Sequence, residues 1–419
     1  MSRGAFFCWP GPGHVNPTLP LVEELVQRGE AIDYHCTEDF RDVVERTGAR
    51  FCPIGGGLAR MKTLDPREGM FMLGEFVAEI TLELMPSLQA ELERDRPDYV
   101  IHDTMTPWGR IVAELLRLPR ITTFPSFATI PERSPLPPLP ILLLAMGARR
   151  LPLNLRRLWR RRELTREAAR RFGVEQLAFA NVISNPSNCN IVFTSERFQF
   201  RRSDLDERFH FVGATLSEPP DADFPLSALE GRRVVFVSLG TVFNDDVSFF
   251  RSAMEAFAGR DELVVIATGK RLQVATLGPL PDNCLVRSHV PQLEVLRRSA
   301  LAIIHGGMNT VTGALYHGVP MLIRPQGADN FVIARRVEEL GVGRRLGARD
   351  LRPGRLRKLA DELTSDARIR QNIREVGDSL RTAGGAQRAA DIVLRFRDEA
   401  KLVLSGKEVR PASAVALRA

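Results

Sequence analysis

The stretch LAIIHGGMNTVTGALYHGVPMLIRPQGADN, residues 301–330, decides how the chain is read. Its apolar opening, 301–304, has the length and character of a buried strand. The run breaks at His305-Gly306-Gly307, where the chain can turn tightly. Asn309 and Thr310 then open a helix as cap-type residues, and Gly318 with Pro320 closes it. A strand that feeds through glycines into a helix N-terminus is suited to hold an anion, because backbone N–H groups and the positive end of the helix dipole point at it. On the glycines alone, an ordinary βα turn is the favoured reading, because short glycine motifs match by chance.

The same alternation extends outward. Residues 234–239, 263–267, 285–287 and 321–324 read as strands, and helices start near Asp246 and Pro291 and cover about 330–340, 355–364 and 387–396. Residues 213–231, GATLSEPPDADFPLSALEG, are rich in Pro, Asp and Ser and form a linker. Before it lies a first α/β half, with strands at 5–9, 31–36 and 51–54 and a helix that Pro17 starts and Gly29 ends. This β-α-β-α-β order implies a parallel sheet with right-handed crossovers. Residues 58–80, with Gly69 and Gly74, read as a long loop or short helices before a helix over about 82–94. A strand at 99–101 leads into His102-Asp103, a helix follows Pro107, and 131–140 is a proline-rich loop. The expected organisation is a first domain over 1–212, the linker, a second domain over 232–400 whose last helix could pack back on the first, and a disordered tail over 404–419. Ligands of open parallel sheets bind at C-terminal strand ends, and two such domains facing each other would enclose a cleft.

Composition narrows the function classes. The 419 residues are 44% hydrophobic and 26% charged, as in a soluble globular protein. The net charge of +7 favours anionic ligands in general but does not by itself imply nucleic acid. The five cysteines are scattered with no C-x-x-C spacing, which argues against a disulfide framework or a zinc motif and fits a reducing, cytoplasmic setting. The opening apolar run is too short for a signal peptide, and no stretch reaches the length of a membrane span.

Four places carry candidate chemistry. His14 follows the first strand, where an imidazole could take a proton from a hydroxyl. Asp103 lies just past another strand end of the same half, and a carboxylate on one imidazole nitrogen fixes the tautomer and stabilises the imidazolium. Singly, His14 also fits a solvated loop histidine and Asp103 a charge before a helix; His102 should face the other way and serve packing. Ser238-Leu239-Gly240-Thr241 could contact a phosphate through Thr241 and backbone N–H groups. His289-Val290-Pro291-Gln292 could pair its backbone with the edge of a planar base, or be a plain helix start.

Taken in order, GPGHVNP, VFVSLGTVFN, HVPQLEVL, HGGMNT, GVPML, PQGADN and ARRVEELGVG resemble the family-1 glycosyltransferases, in particular the bacterial macrolide-glycosyltransferase-like group, over nearly the whole chain to about residue 396. The resemblance implies a GT-B fold of two Rossmann-like domains, with the acceptor in the first and a nucleotide sugar mainly in the second. It implies an inverting, metal-independent transfer with no cofactor beyond the nucleotide-sugar co-substrate. His14 matches the family's base and Asp103 its partner. Thr241, His305, Gly307, Asn309 and Thr310 match the diphosphate site, Val290 and Gln292 the base site, and Asp329 and Asn330 the sugar site.

Two positions depart from the pattern. Gly313 stands where the family often has a ribose-binding Glu, and Asn330 where many members have Gln. Both leave open whether the donor is carried on uridine or thymidine diphosphate. The expected acceptor is a small lipophilic molecule, such as a macrolide, polyketide or aromatic natural product. Phe71, Phe76, Phe124 and Phe127 could wall its site or be plain core. No nucleic acid is expected as a partner, and the protein is expected as a monomer or homodimer. The segment 141–171, apolar then strongly basic, reads as an acceptor-site wall, a surface for anionic lipid, or a solvated helix with Leu and Trp159 turned inward. The rivals to the leading reading are a non-catalytic glycosyltransferase-like partner protein and a lipid glycosyltransferase at a membrane surface.

Overall fold

Strands buried on both faces, such as Tyr99–Asp103 and Val234–Ser238, need helices on either side of the sheet, and that is how this chain is built. A computed structural model describes residues 2–63, 69–129, 151–174, 184–200, 203, 205–218, 223–241, 244–327 and 329–404. The expected proline-rich loop at 131–140, the apolar residues 141–150 and the tail beyond 404 lie outside the described residues.

The chain divides into two compact units, residues 1–193, 201–215 and 384–419 in one and 194–200 and 216–383 in the other. It therefore passes between them more than once, rather than through a single linker at 213–231. In the first unit the elements run β1 (Arg3–Phe7), α1 (Pro12–Gln27), β2 (Ala31–Cys36), α2 (Arg41–Glu45), β3 (Arg50–Pro53), α3 (Gly69–Asp95), β4 (Tyr99–Asp103), α4 (Pro107–Leu115), β5 (Arg120–Phe124), α5 (Leu151–Phe172), β6 (Cys189–Val192) and β7 (Phe209–Phe211). Its seven strands pair in the order β3-β2-β1-β4-β5-β6-β7, all parallel.

The second unit holds β8 (Val234–Ser238), α6 (Val247–Phe257), β9 (Leu263–Ala267), β10 (Cys284–Arg287), α7 (Gln292–Arg297), β11 (Ser299–Ile304), α8 (Met308–Tyr316), β12 (Met321–Ile323), α9 (Asn330–Glu339), β13 (Gly343–Arg345), α10 (Pro353–Ser365) and α11 (Ala367–Arg381). Its six parallel strands run β10-β9-β8-β11-β12-β13. Each sheet therefore reverses its direction of winding once, between β1 and β4 in the first unit and between β8 and β11 in the second. Such reversal points open a crevice at the C-terminal strand ends. The last helix, α12 (Gly385–Leu404), belongs to the first unit, where Ala389, Ala390 and Val393 join the core formed by Phe6, Val22 and Ile101. No described helix is long and apolar enough to cross a membrane.

Three local expectations are corrected. The first helix begins at Pro12, not Pro17: Gly11 takes an extended N-cap conformation, and Pro12 supplies a preset φ where an N–H is not needed. Pro17 and Pro20 lie inside the helix. The region expected to be irregular over 58–80 is mostly helix, because α3 starts at Gly69; Phe76, Val77 and Ile80 bury against the sheet and outweigh the poor helix propensity of the two glycines. Finally, Trp159 of α5 is 64% exposed, not turned inward. The inward face of α5 is instead formed by Asn154, Arg161, Leu164, Thr165 and Ala168.

Candidate active site

His14 and Asp103 flank the reversal point of the first sheet. His14 is the third residue of α1, so the helix start rather than a loop aims it. Asp103 is the last residue of β4, fully buried, and its Oδ2 lies 2.8 Å from His14 Nδ1. Its Oδ1 accepts the Met105 backbone N–H at 2.8 Å, so both carboxylate oxygens are held. With Nδ1–H directed at Asp103, the imidazole keeps its lone pair on Nε2, the arrangement of a general base. The His14 side chain is 22% exposed, so the ring is only partly covered. Its strand neighbour His102 is a packing residue, as expected: it is fully buried, meets Thr122 Oγ1 at 3.2 Å, and burial lowers its pKa to about 3.

His305 and the Ser238–Thr241 turn flank the reversal point of the second sheet. A Cβ on Gly240 would come within 2.5 Å of His305 Cε1, and one on Gly307 within 2.4 Å of His305 Nε2. The imidazole is thus clamped between two backbones that only glycine can provide, and Gly240 also has φ +75°. Burial pushes the His305 pKa down to about 4, with a backbone group of Ser238 acting weakly the other way. Its Nδ1 is buried with no hydrogen-bond partner among the described residues. Thr241, the last residue of that turn, is exposed.

The helix that follows starts differently from expectation. Gly307, not Asn309, is the N-cap of α8, and no side chain caps the helix. Asn309 and Thr310 therefore occupy its first turn, where backbone N–H groups lack intrahelical acceptors and favour an anion. Thr310 Oγ1 donates to Gln292 Oε1 at 3.3 Å, which joins the diphosphate and base candidates. Val290 is buried, and Gln292 is the first residue of α7. Asn330 is buried beside Gly306, whose Cβ would meet the Asn330 carbonyl at 3.4 Å. Asp329 is exposed at the N-cap of α9, and its side chain makes no capping bond.

Sequence reasoning missed several contributors. Glu218, inside the expected linker, accepts the backbone N–H groups of Gln292 at 2.6 Å and Leu293 at 2.7 Å and so caps α7. Burial raises its pKa, with those N–H groups opposing. The Gln292 N–H is consequently not available to a base. Asn244 donates to the Gly240 carbonyl at 2.9 Å and fixes the turn. Arg324 Nε and Gln326 Nε2, past the end of β12, are buried without partners among the described residues. Their charge and amide were visible in the sequence, but nothing in their spacing marked them. Gly313 faces α7: a Cβ there would meet Leu293 and Leu296 at 3.2 Å.

Comparison with known proteins gives these features a family. Residues 251–391 match the model described as Erythromycin biosynthesis protein CIII-like, C-terminal domain. The chain is 30% identical over 402 residues to the protein named uncharacterized UDP-glucosyltransferase YojK of Bacillus subtilis (strain 168), covering 94% of this chain and 97% of that one. It is 33% identical over 409 residues to the demethyllactenocin mycarosyltransferase of Streptomyces fradiae, covering 94% and 86%. Among solved structures it resembles the calicheamicin glycosyltransferase CalG4, with a TM-score of 0.78 and 28% identity over 95% of this chain and 99% of that one. With its two Rossmann-like parallel-sheet units and its full-length relatives, the chain belongs to the family-1 GT-B glycosyltransferases, in the bacterial macrolide and antibiotic group.

Proposed function

We propose that the chain is an inverting glycosyltransferase that moves a sugar from a UDP- or TDP-linked donor to a hydroxyl of a small lipophilic acceptor, such as a macrolide, polyketide or aromatic natural product. The observation that carries this reading is the 2.8 Å contact between His14 Nδ1 and the buried Asp103 carboxylate. His14 Nε2 takes the proton of the acceptor hydroxyl. The oxygen attacks the anomeric carbon opposite the leaving group, the bond to the diphosphate oxygen breaks, and configuration inverts. Asp103 stabilises the imidazolium as it forms.

The charge of the leaving diphosphate is met without a metal, by His305, Thr241, Asn309, Thr310 and the N–H groups at the start of α8, with Gly307 admitting the phosphate oxygens close to the backbone. His305, held neutral by burial, contributes an N–H rather than a charge. Val290 and Gln292 hold the base, and Asp329 with Asn330 binds sugar hydroxyls. Because position 313 carries no carboxylate for a ribose 2′-hydroxyl, a thymidine diphosphate donor is as well served as a uridine one.

The test is product formation with a panel of UDP- and TDP-sugars and hydroxylated lipophilic acceptors, followed by mass spectrometry and by NMR of the anomeric centre. The expected product gains one sugar with inverted configuration, and turnover persists in excess chelator. Undiminished product from His14→Ala would sink the mechanism.

One observation favours a peripheral membrane contact as a second reading: Leu153, Leu155 and Trp159 of α5 are exposed beside Arg156 and Arg160. Co-sedimentation with anionic liposomes that salt does not weaken, or no co-sedimentation at all, removes it.

A further inference from the structure

The first unit contains a group of side chains that the proposed chemistry does not use. His35 on β2, Cys52 on β3 and Glu91 on α3 turn toward one another, and one potential ligand atom of each lies within 4.8 Å of the others. His35 is 2% exposed and its ring stacks on Phe7 at 4.5 Å, yet neither ring nitrogen hydrogen-bonds to a described residue. The Cys52 thiol reaches only the Arg50 carbonyl, at 3.9 Å. The Glu91 carboxylate, half-buried, forms no ion pair or hydrogen bond with the described residues.

Buried polar side chains nearly always have partners. Three that converge with almost none share a need for one ligand. The neighbouring charges do not supply it. Arg50 binds Asp33 through Nε and Nη2 at 2.7 and 2.8 Å and reaches Asp95 at 3.1 Å, while Arg3 pairs with Asp33 and Arg94 with Asp95. Glu91 makes no direct ion pair with a described residue, and Arg50 and Arg94, both engaged elsewhere, act on its carboxylate only at longer range.

We infer that His35, Cys52 and Glu91 bind a borderline-soft divalent cation, zinc foremost, which ties the edge strand β3 and its neighbour β2 to helix α3. Imidazole nitrogen, thiolate sulfur and carboxylate oxygen are the ligand types zinc selects, with the fourth tetrahedral position left to water. Tetrahedral zinc, with bonds of about 2.0–2.3 Å, spaces its ligand atoms roughly 3.3–3.8 Å apart. The present cluster closes to that spacing by moving about an ångström, within reach of side-chain torsions. On binding, the Cys52 thiol releases one proton to solvent and the sulfur–metal bond replaces the S–H bond. Each ligand comes from a different element, which is why cysteine spacing carried no signal of the site.

The test uses the full-length protein, stripped of metal by a chelator and titrated with cobalt(II). One equivalent should bind with a thiolate-to-cobalt charge-transfer absorption that zinc abolishes, and zinc should raise the melting temperature by mass action. Cys52→Ser should remove the absorption, and Cys284→Ser should leave it intact. Glu91→Gln, at a half-buried position, should weaken cobalt binding at least tenfold while the metal-free protein melts where the unaltered one does. Absence of the absorption in the unaltered protein overturns the inference. So does an absorption and affinity unchanged by both Cys52→Ser and Glu91→Gln.

Discussion

His14 Nδ1 lies 2.8 Å from Asp103 Oδ2, and the other Asp103 oxygen is tied to the Met105 backbone, so the proposed base and its proposed partner are held together. Removing a positioned general base typically costs 10²–10⁴-fold in rate. His14→Ala should lower kcat by about that factor and leave the nucleotide-induced thermal shift in place. Asp103→Asn should lower kcat by a comparable factor, because an amide no longer selects the tautomer with its lone pair on Nε2. Steady-state kinetics beside thermal shift would separate this loss from a loss of donor binding.

The glycine clamp on His305 makes a sharper claim. Gly240→Ala and Gly307→Ala each drive a methyl into the imidazole, and Gly240→Ala adds the strain of φ +75°. Both should abolish the thermal shift produced by UDP and TDP. Gly318→Ala is the control: it shares a positive φ, +77°, but a methyl there meets nothing within 4 Å. It should cost about 1 kcal/mol in stability and retain nucleotide binding. Equal loss of binding in all three would mean that the clamp is not what shapes the site.

Glu218 holds the start of α7, where the proposed base-binding Gln292 sits. A helix cap of this kind is worth roughly 0.5–2 kcal/mol. Glu218→Ala should therefore lower the denaturant midpoint and raise KM for the nucleotide sugar several-fold, with kcat nearly unchanged. A fall in kcat alone would place its influence elsewhere.

Buried histidines give the protein an acid-sensitive stability. His102 and His305 have pKa values of about 3 and about 4, below the ordinary value of 6.5 that they regain on unfolding. Between those limits the unfolded chain binds more protons than the folded one, so their contribution is full above pH 6.5 and lost progressively as pH falls toward 4. The slope approaches ~1.4 kcal/mol per pH unit for each. Urea midpoints measured from pH 7 to 4.5 should fall, and His102→Gln should flatten the curve by about one proton.

The legible parts of this chain are those where local chemistry and strand alternation coincide. The strand-to-helix passage at 301–316 could be read because an apolar run, glycines and a helix start follow one another directly. That His14 follows the first strand and that Asp103 lies at the end of another was readable for the same reason, whereas their 2.8 Å contact depends on β1 and β4 lying side by side, which the strand order alone decides. Local propensity misled where packing outweighed it. Gly69 and Gly74 argued for a loop, but the buried face of α3 overrode them. Glu218 was invisible because its partners lie 74 and 75 residues away and its own surroundings read as linker. Gly313 was read as a missing ribose ligand, and the sequence could not display its tight setting, where an added Cβ would come within 3.2 Å of the Leu293 and Leu296 side chains of α7.

The last helix carries a consequence for how the protein is made. Ala389, Ala390 and Val393 are part of the same core as Val22 and Ile101, and Arg28 binds Asp391 and the Gln387 carbonyl. Vectorial synthesis delivers the N-terminal segments to the ribosomal exit long before these residues exist. The first unit to be translated is therefore the last to complete its hydrophobic interior, while the unit built from residues 216–383 has all but seven of its residues in one uninterrupted run. A nascent chain stalled before α12 would hold an open apolar surface, and chaperone engagement should persist until that helix emerges.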